Sequence, residues 1–200
     1  LGATPKFIIV KNLTTAQDWG TYSPSFVSAS DPNVLYLGKT DAGQVATNVW
    51  GTSASFNNNT FTVGDWTGSN QSGSSFIAYC FAEKQGYSKF SKYQGNNSSD
   101  GTFLYFGFAP SFVMIKRNAS GYNWYMFDKK RDTENTSSNK KDLDANNNSV
   151  EAQDRAFDWL SNGIKFKNNN AGTNASDEYI YMAFAEAPLV GSNNVPTTAR

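Results

Sequence analysis

Apolar and polar residues alternate along this chain in short runs, and each run is bounded by glycine, proline, asparagine or serine. Alternation with period two predicts half-buried β-strands, because successive strand side chains point to opposite faces. Strands are predicted over residues 7–11, 18–22, 75–82, 86–93, 102–108, 112–117, 123–128 and 179–185. A short apolar piece at 34–37 adds a weaker strand, and Leu143 stands alone in the corresponding stretch further on. Two hairpins are predicted. One joins 54–56 to 60–63 through Asn57-Asn58-Asn59, and the other joins 157–160 to 164–167 through Ser161-Asn162-Gly163. Asn-Gly supplies the positive φ angles that tight hairpin turns need. Helical potential is confined to 148–157, where Asn148 could cap and Glu151 follows three residues later. A helical turn and a non-helical segment both fit that stretch.

The pattern repeats itself. Pro5-Lys6-Phe7-Ile8-Ile9-Val10-Lys11 matches Pro110-Ser111-Phe112-Val113-Met114-Ile115-Lys116 at an offset of 105, and the same offset carries Trp19 onto Trp124. Ile77-Ala78-Tyr79-Cys80-Phe81-Ala82-Glu83 matches Ile180-Tyr181-Met182-Ala183-Phe184-Ala185-Glu186 at an offset of 103. Two nearly equal offsets, apolar for apolar, predict one strand module used twice. The expected division is a first module over 1–86, a second over 87–190 and a C-terminal extension over 191–200. The strands at 86–93 and 102–108 have no counterpart before Pro5, and the chain opens on Leu1 without an initiator methionine. Both features predict a piece of a longer polypeptide whose first module is completed by upstream chain or by a neighbouring subunit. The expected fold class is all-β, an antiparallel β-sandwich or jelly-roll-like arrangement built from two repeats.

Composition narrows the function classes. The 200 residues carry 17 basic and 17 acidic side chains, so neither nucleic acid nor an acidic partner is favoured, and no apolar run is long enough to insert in a membrane as a helix. There is no histidine, which removes His-based zinc sites and Ser-His-Asp triads. The single cysteine, Cys80, permits no internal disulfide and reads as a buried small hydrophobe.

Candidate chemistry is sparse. Asp65, Asp100, Asp128, Asp158, Glu83 and Glu186 are the carboxylates a glycosidase pair would draw on, but Glu83 and Glu186 occupy equivalent repeat positions, which favours a structural role. Asp142-Leu143-Asp144-Ala145-Asn146 has calcium-ligand character without the glycine and terminal glutamate of an EF-hand loop. No enzyme, catalytic residue, metal site or cofactor is therefore expected. The aromatic content is high at 15%, and an exposed ring can stack on a sugar. Trp66 beside Asp65, in a loop of small polar residues, is the expected glycan platform, with Trp50 as a weaker member; a core lid or a subunit contact is the alternative. Trp19, Trp124 and Trp159 are expected in the core.

Three stretches also carry a family resemblance. Leu1 to Asn12, Gly86-Tyr87-Ser88-Lys89-Phe90 through Tyr93-Gln94-Gly95-Asn96, and Phe106 to Arg117 followed by Trp124 and Asp128 resemble a duplicated β-module family. That family is found in tailed-phage virion proteins, chiefly tail-fibre-like proteins of marine and environmental phages. The resemblance runs over roughly residues 1–188. It implies a structural protein at the particle surface with a lectin-like β-sandwich and no catalytic residues. The function expected from it is a tail-fibre or appendage domain contacting host-surface glycan; a capsid-decorating or tail-assembly protein without a ligand is the alternative. Implied partners are other virion proteins, further copies of the chain and host polysaccharide.

Overall fold

A computed structural model describes residues 2–25, 33–132, 135 and 140–187. The fold is all-β and antiparallel, with two helices of four residues each, Thr47–Trp50 (α1) and Thr67–Asn70 (α2). The chain divides into two compact units. The first comprises 1–82 with 119–121, and the second comprises 83–118 with 122–200. The predicted extension at 191–200 lies outside the described residues.

The first unit is built on β1 (Phe7–Asn12), β2 (Gly20–Tyr22), β3 (Asn33–Tyr36), β4 (Gln44–Val45) and β5 (Phe76–Phe81). They form one sheet in the order β4-β3-β2-β1-β5. One face packs Ile8, Val10, Tyr22 and Val34 against Val49 and Trp50 of α1, with Phe56, Phe61 and Trp66 closing the cluster. The predicted 54–63 hairpin is reduced to a single bridge, Phe56 to Phe61, around a turn in which the Asn57 carboxamide accepts from the N–H groups of Asn59 and Thr60. Tyr22 and Phe56 stack at 3.5 Å, so ring packing holds this segment where a strand ladder was expected.

In the second unit β6 (Ser88–Gln94), β8 (Pro110–Arg117), β9 (Trp124–Asp128), β10 (Lys140–Asp144), β11 (Ala152–Arg155) and β14 (Glu178–Ala185) form a six-stranded sheet, ordered β11-β10-β9-β8-β14-β6. A second layer of β7 (Phe103–Tyr105), β12 (Phe157–Leu160) and β13 (Gly163–Phe166) has the order β12-β13-β7. The two layers meet across a core of Tyr93, Val113, Ile115, Phe127, Tyr179, Tyr181 and Ala183 from the large sheet, and Leu104, Phe157, Trp159, Ile164 and Phe166 from the small one. Alternate residues of each strand supply this core, as a two-layer sandwich requires.

Two elements differ from expectation. The stretch holding Leu143 is a full five-residue strand, β10. The segment that could have been a helical turn is β11, paired with β10 through Lys140 opposite Arg155 and Asp142 opposite Ala152. The buried Arg155 guanidinium lies 2.6 Å from the Asp142 carboxylate and stacks 3.6 Å from the Tyr125 ring centroid. Long-range pairing of this kind outweighs a local capping signal. The calcium-like acidic stretch is consumed by the same structure. Besides the Asp142–Arg155 pair, Asp144 accepts from the Asn123 carboxamide, and Asn146 accepts from the Trp124 N–H.

The large sheets share a strand order. Reading β8, β9, β10, β11 and β14 for β1, β2, β3, β4 and β5 converts one into the other, with β6 added beyond β14. Registers correspond as well. Ile8 pairs with Tyr22 and Cys80, while Val113 pairs with Phe127 and Ala183.

Candidate functional site

The tryptophans chosen from the sequence are placed differently from one another. Trp50 is 0% exposed, with Tyr22 and Phe56 edge-on at 5.9 and 5.8 Å, so it has no face to offer a sugar ring. This corrects its place in the expected platform. Helix α1, which the strand pattern did not predict, turns the ring inward. Trp66 is half-buried and lies against the backbones of Gly20 and Gly68. A Cβ on Gly68 would fall 2.2 Å from the ring, and one on Gly20 would fall 3.2 Å from it. Tyr36 packs on the same indole at 5.5 Å. Trp66 is thus a lid on the first-unit core, seated where two glycines let a ring approach the main chain. Asp65 beside it is exposed. Trp124 and Trp159 are buried at 1% and 5%, whereas Trp19 is only half-buried, under the Lys11 ammonium at 5.7 Å from its centroid.

Several of the candidate carboxylates are held by lysines. Glu83 binds Lys89 at 2.8 Å and Glu186 binds Lys129 at 2.6 Å, each just past the last strand of its series. Asp158 faces Lys167 at 3.5 Å. A surface depression of about 340 Å³ is lined by Lys11, Ala16, Gln17 and Asp18. Its polar groups are already engaged, since Lys11 donates to the Gln17 carbonyl at 2.6 Å and Asp18 holds Lys39 at 2.8 Å.

An exposed aromatic surface lies on the second unit, on the outer face of the small sheet. Leu104, Ile164, Phe157 and Trp159 point into the core, so Phe103, Tyr105, Gly163, Lys165, Asp158 and Leu160 must point away from it. Cross-strand pairing lays them in two rows. One row is Leu160, Gly163 and Tyr105, and the other is Asp158, Lys165 and Phe103. Phe103 and Tyr105 are 43% and 62% exposed, with ring centroids 6.4 Å apart. Gly163, at the centre of one row, is buried and lets the Leu104 backbone and the Phe103 ring approach closely. Charge flanks the rings. Lys165 holds Asp100 at 2.8 Å, and that ammonium keeps the Asp100 carboxyl below the usual carboxylate range. The surface offers two exposed rings with polar groups on one side, and exposed rings of this kind can stack on a flat, hydroxyl-rich ligand.

The sequence carries one sign of this surface. Phe103 and Tyr105 are two apart, while Leu104, Phe106 and Phe108 are also apolar, so the run has apolar residues on both faces. In a two-layer sandwich the second apolar face of such a strand lies outside the core unless a further layer covers it.

The loops above this sandwich are held by buried amides. The Asn174 side chain reaches the Asn96 side chain and the carbonyls of Ser98 and Asn168, each at 3.0 Å, and the Tyr93 hydroxyl donates to the Thr173 carbonyl at 2.6 Å. Such bonds order loops that would otherwise be free in conformation. Among the described residues no helix is long and apolar enough to cross a membrane.

A family model described as a domain of unknown function (DUF7483) matches residues 1–188. No curated protein and no solved structure matches the chain.

Proposed function

We propose that this chain, which belongs to the DUF7483 family over residues 1–188, is a structural protein of a tailed-phage particle that presents the Phe103–Tyr105 face to a host-surface glycan. The observation that carries the reading is the exposed ring pair on strand β7, with the Asp100–Lys165 pair beside it. A formal net charge of zero suits a neutral polysaccharide. The virion setting comes from the motif resemblance over Leu1–Asn12, Gly86–Asn96 and Phe106–Arg117. We also read the two large sheets as two uses of one module, on the strength of their common strand order and register. In this reading the chain works by binding and scaffolding, with no catalytic step.

The test is binding of the purified chain to a panel of neutral bacterial envelope polysaccharides, followed by calorimetry on those retained. The double variant Phe103→Ala, Tyr105→Ala is expected to lose roughly tenfold or more in affinity, since two stacking contacts together contribute about 1–3 kcal/mol. Asp65→Asn is expected to leave binding unchanged. Retention of no polysaccharide by the wild-type chain, or equal affinity in the double variant, would overturn the glycan reading. Tight association with particles in the absence of any glycan binding would favour the ligand-free decorating role instead.

A further inference from the structure

Antiparallel pairing makes alternate residues of a strand turn their N–H and C=O groups to opposite neighbours. In β14 the Glu178 carbonyl accepts from Asn118, just past β8, at 2.9 Å, so Tyr179, Tyr181 and Ala183 turn theirs the other way, to β6. In β5 the corresponding bond runs from the Leu13 N–H to the Ser75 carbonyl at 2.8 Å. By the same alternation Phe76, Ala78 and Cys80 turn their backbone groups away from β1. These are the residues that the offset of 103 aligns with Tyr179, Tyr181 and Ala183. Among the described residues no strand pairs with that side of β5.

Side chains show the same contrast. Tyr179, Tyr181 and Ala183 are 0%, 6% and 0% exposed, and Tyr93 of β6 stacks on Tyr179 at 4.8 Å and lies 6.2 Å from Tyr181. Their counterparts are open: Ala78 is exposed, and Phe76 and Cys80 are half-buried. On the other face Tyr79 is 44% exposed where Met182, opposite Phe90 of β6, is 5%. β5 reads Phe-Ile-Ala-Tyr-Cys-Phe, with no charge, proline or bulge to guard its edge, whereas β6, which ends the other large sheet, carries Lys89 and Lys92.

We propose that the outer edge of β5 is an acceptor for one antiparallel strand from a partner polypeptide. The strand has the chemistry of β6: about seven extended residues with an aromatic toward each face and lysines at the new rim. In the second unit β6 fills this position, and that defines the occupant. Main-chain bonds from Phe76, Ala78 and Cys80 provide the affinity, and the aromatic side chains set the register.

The probe is a synthetic peptide with the sequence of residues 86–96, added to the intact 200-residue chain and followed by amide hydrogen exchange. Exchange at Ala78 and Cys80 is expected to slow at least tenfold at saturating peptide, while Ile77 and Tyr79, bonded to β1, change little. The same peptide carrying Ser91→Pro is expected to have no effect, because the Ser91 N–H is one of those turned to the acceptor strand and the change leaves the folded chain untouched. Chain bearing Ala78→Pro, a substitution an outward-facing edge position tolerates, is expected to bind no peptide. Three outcomes would overturn the proposal. One is unaltered exchange with the parent peptide. Another is protection that rises with protein concentration alone, which would assign the edge to a second copy of the chain. The third is full protection in the dilute chain without peptide, which would assign it to the chain's own residues.

Discussion

Tyr22, Tyr93, Tyr179 and Tyr181 are phenols placed inside the two cores. Burial raises all four, because a phenolate loses its hydration there, and Tyr22, Tyr179 and Tyr181 are pushed up to about 12. In Tyr179 the Ala175 N–H opposes the rise, and in Tyr181 the Ser91 hydroxyl does so. A phenol whose folded value exceeds its unfolded value contributes stability that is complete below the unfolded value of 10. That stability is lost as pH rises through the folded value. Unfolding free energy is therefore expected to fall steeply between pH 10 and 12, by about 1.4 kcal/mol per pH unit for each such tyrosine. Urea melts across this range check it, and Tyr181→Phe is expected to reduce the slope by one proton. Little of this residue-scale picture was legible in the sequence. Trp19, Trp50 and Trp66 are the same residue type in similarly polar neighbourhoods, yet one is half-open, one is sealed and one is a lid. What separates them is a helical turn for Trp50 and, for Trp66, the neighbouring Gly68 together with the distant Gly20.

At the scale of elements, the hairpin of β12 and β13 was legible from its alternation and its turn-forming residues, although the turn is Ser161-Asn162 and Gly163 opens β13 without a positive φ. What Gly163 does in the strand was not legible. A Cβ on Gly163 would lie 1.9 Å from the Leu104 carbonyl oxygen across the strand pair, so β7 can approach β13 only where there is no side chain. Gly163→Ala is expected to cost about 1–3 kcal/mol, as overpacking does. It should also loosen β7, lowering the thermal midpoint and weakening glycan binding together. Gly38→Ala is the control, since a Cβ there meets nothing within 4 Å. Strand β11 shows the opposite case. Its sequence, Ala-Gln-Asp-Arg, has no apolar alternation to reveal a strand, and it is held by its ladder to β10 and the Asp142–Arg155 pair. A strand stabilised by one buried ion pair leaves no periodic trace.

For the whole molecule, the pairings that build the second unit join parts of the chain far apart in sequence. β6 meets β14 through Gln94 and Glu178, and β7 meets β13 through Tyr105 and Gly163. Closing such loops precedes any gain from the contacts they allow. Folding is therefore expected on the millisecond-to-second scale of β-rich domains, which stopped-flow fluorescence of the buried Trp124 and Trp159 would measure. A submillisecond single phase would contradict that topology. The sequence by itself determined the all-β class and most strand positions. Alternation and turn residues are local properties, and the pleat translates them directly into strands. Only the tertiary structure decided which apolar residues are left outside a core, because that depends on which strand lies next to which. Phe103 and Tyr105 are exposed since β7 ends its sheet and its inner face is already filled, and Ala78 and Tyr79 are exposed since β5 has nothing described on its far side.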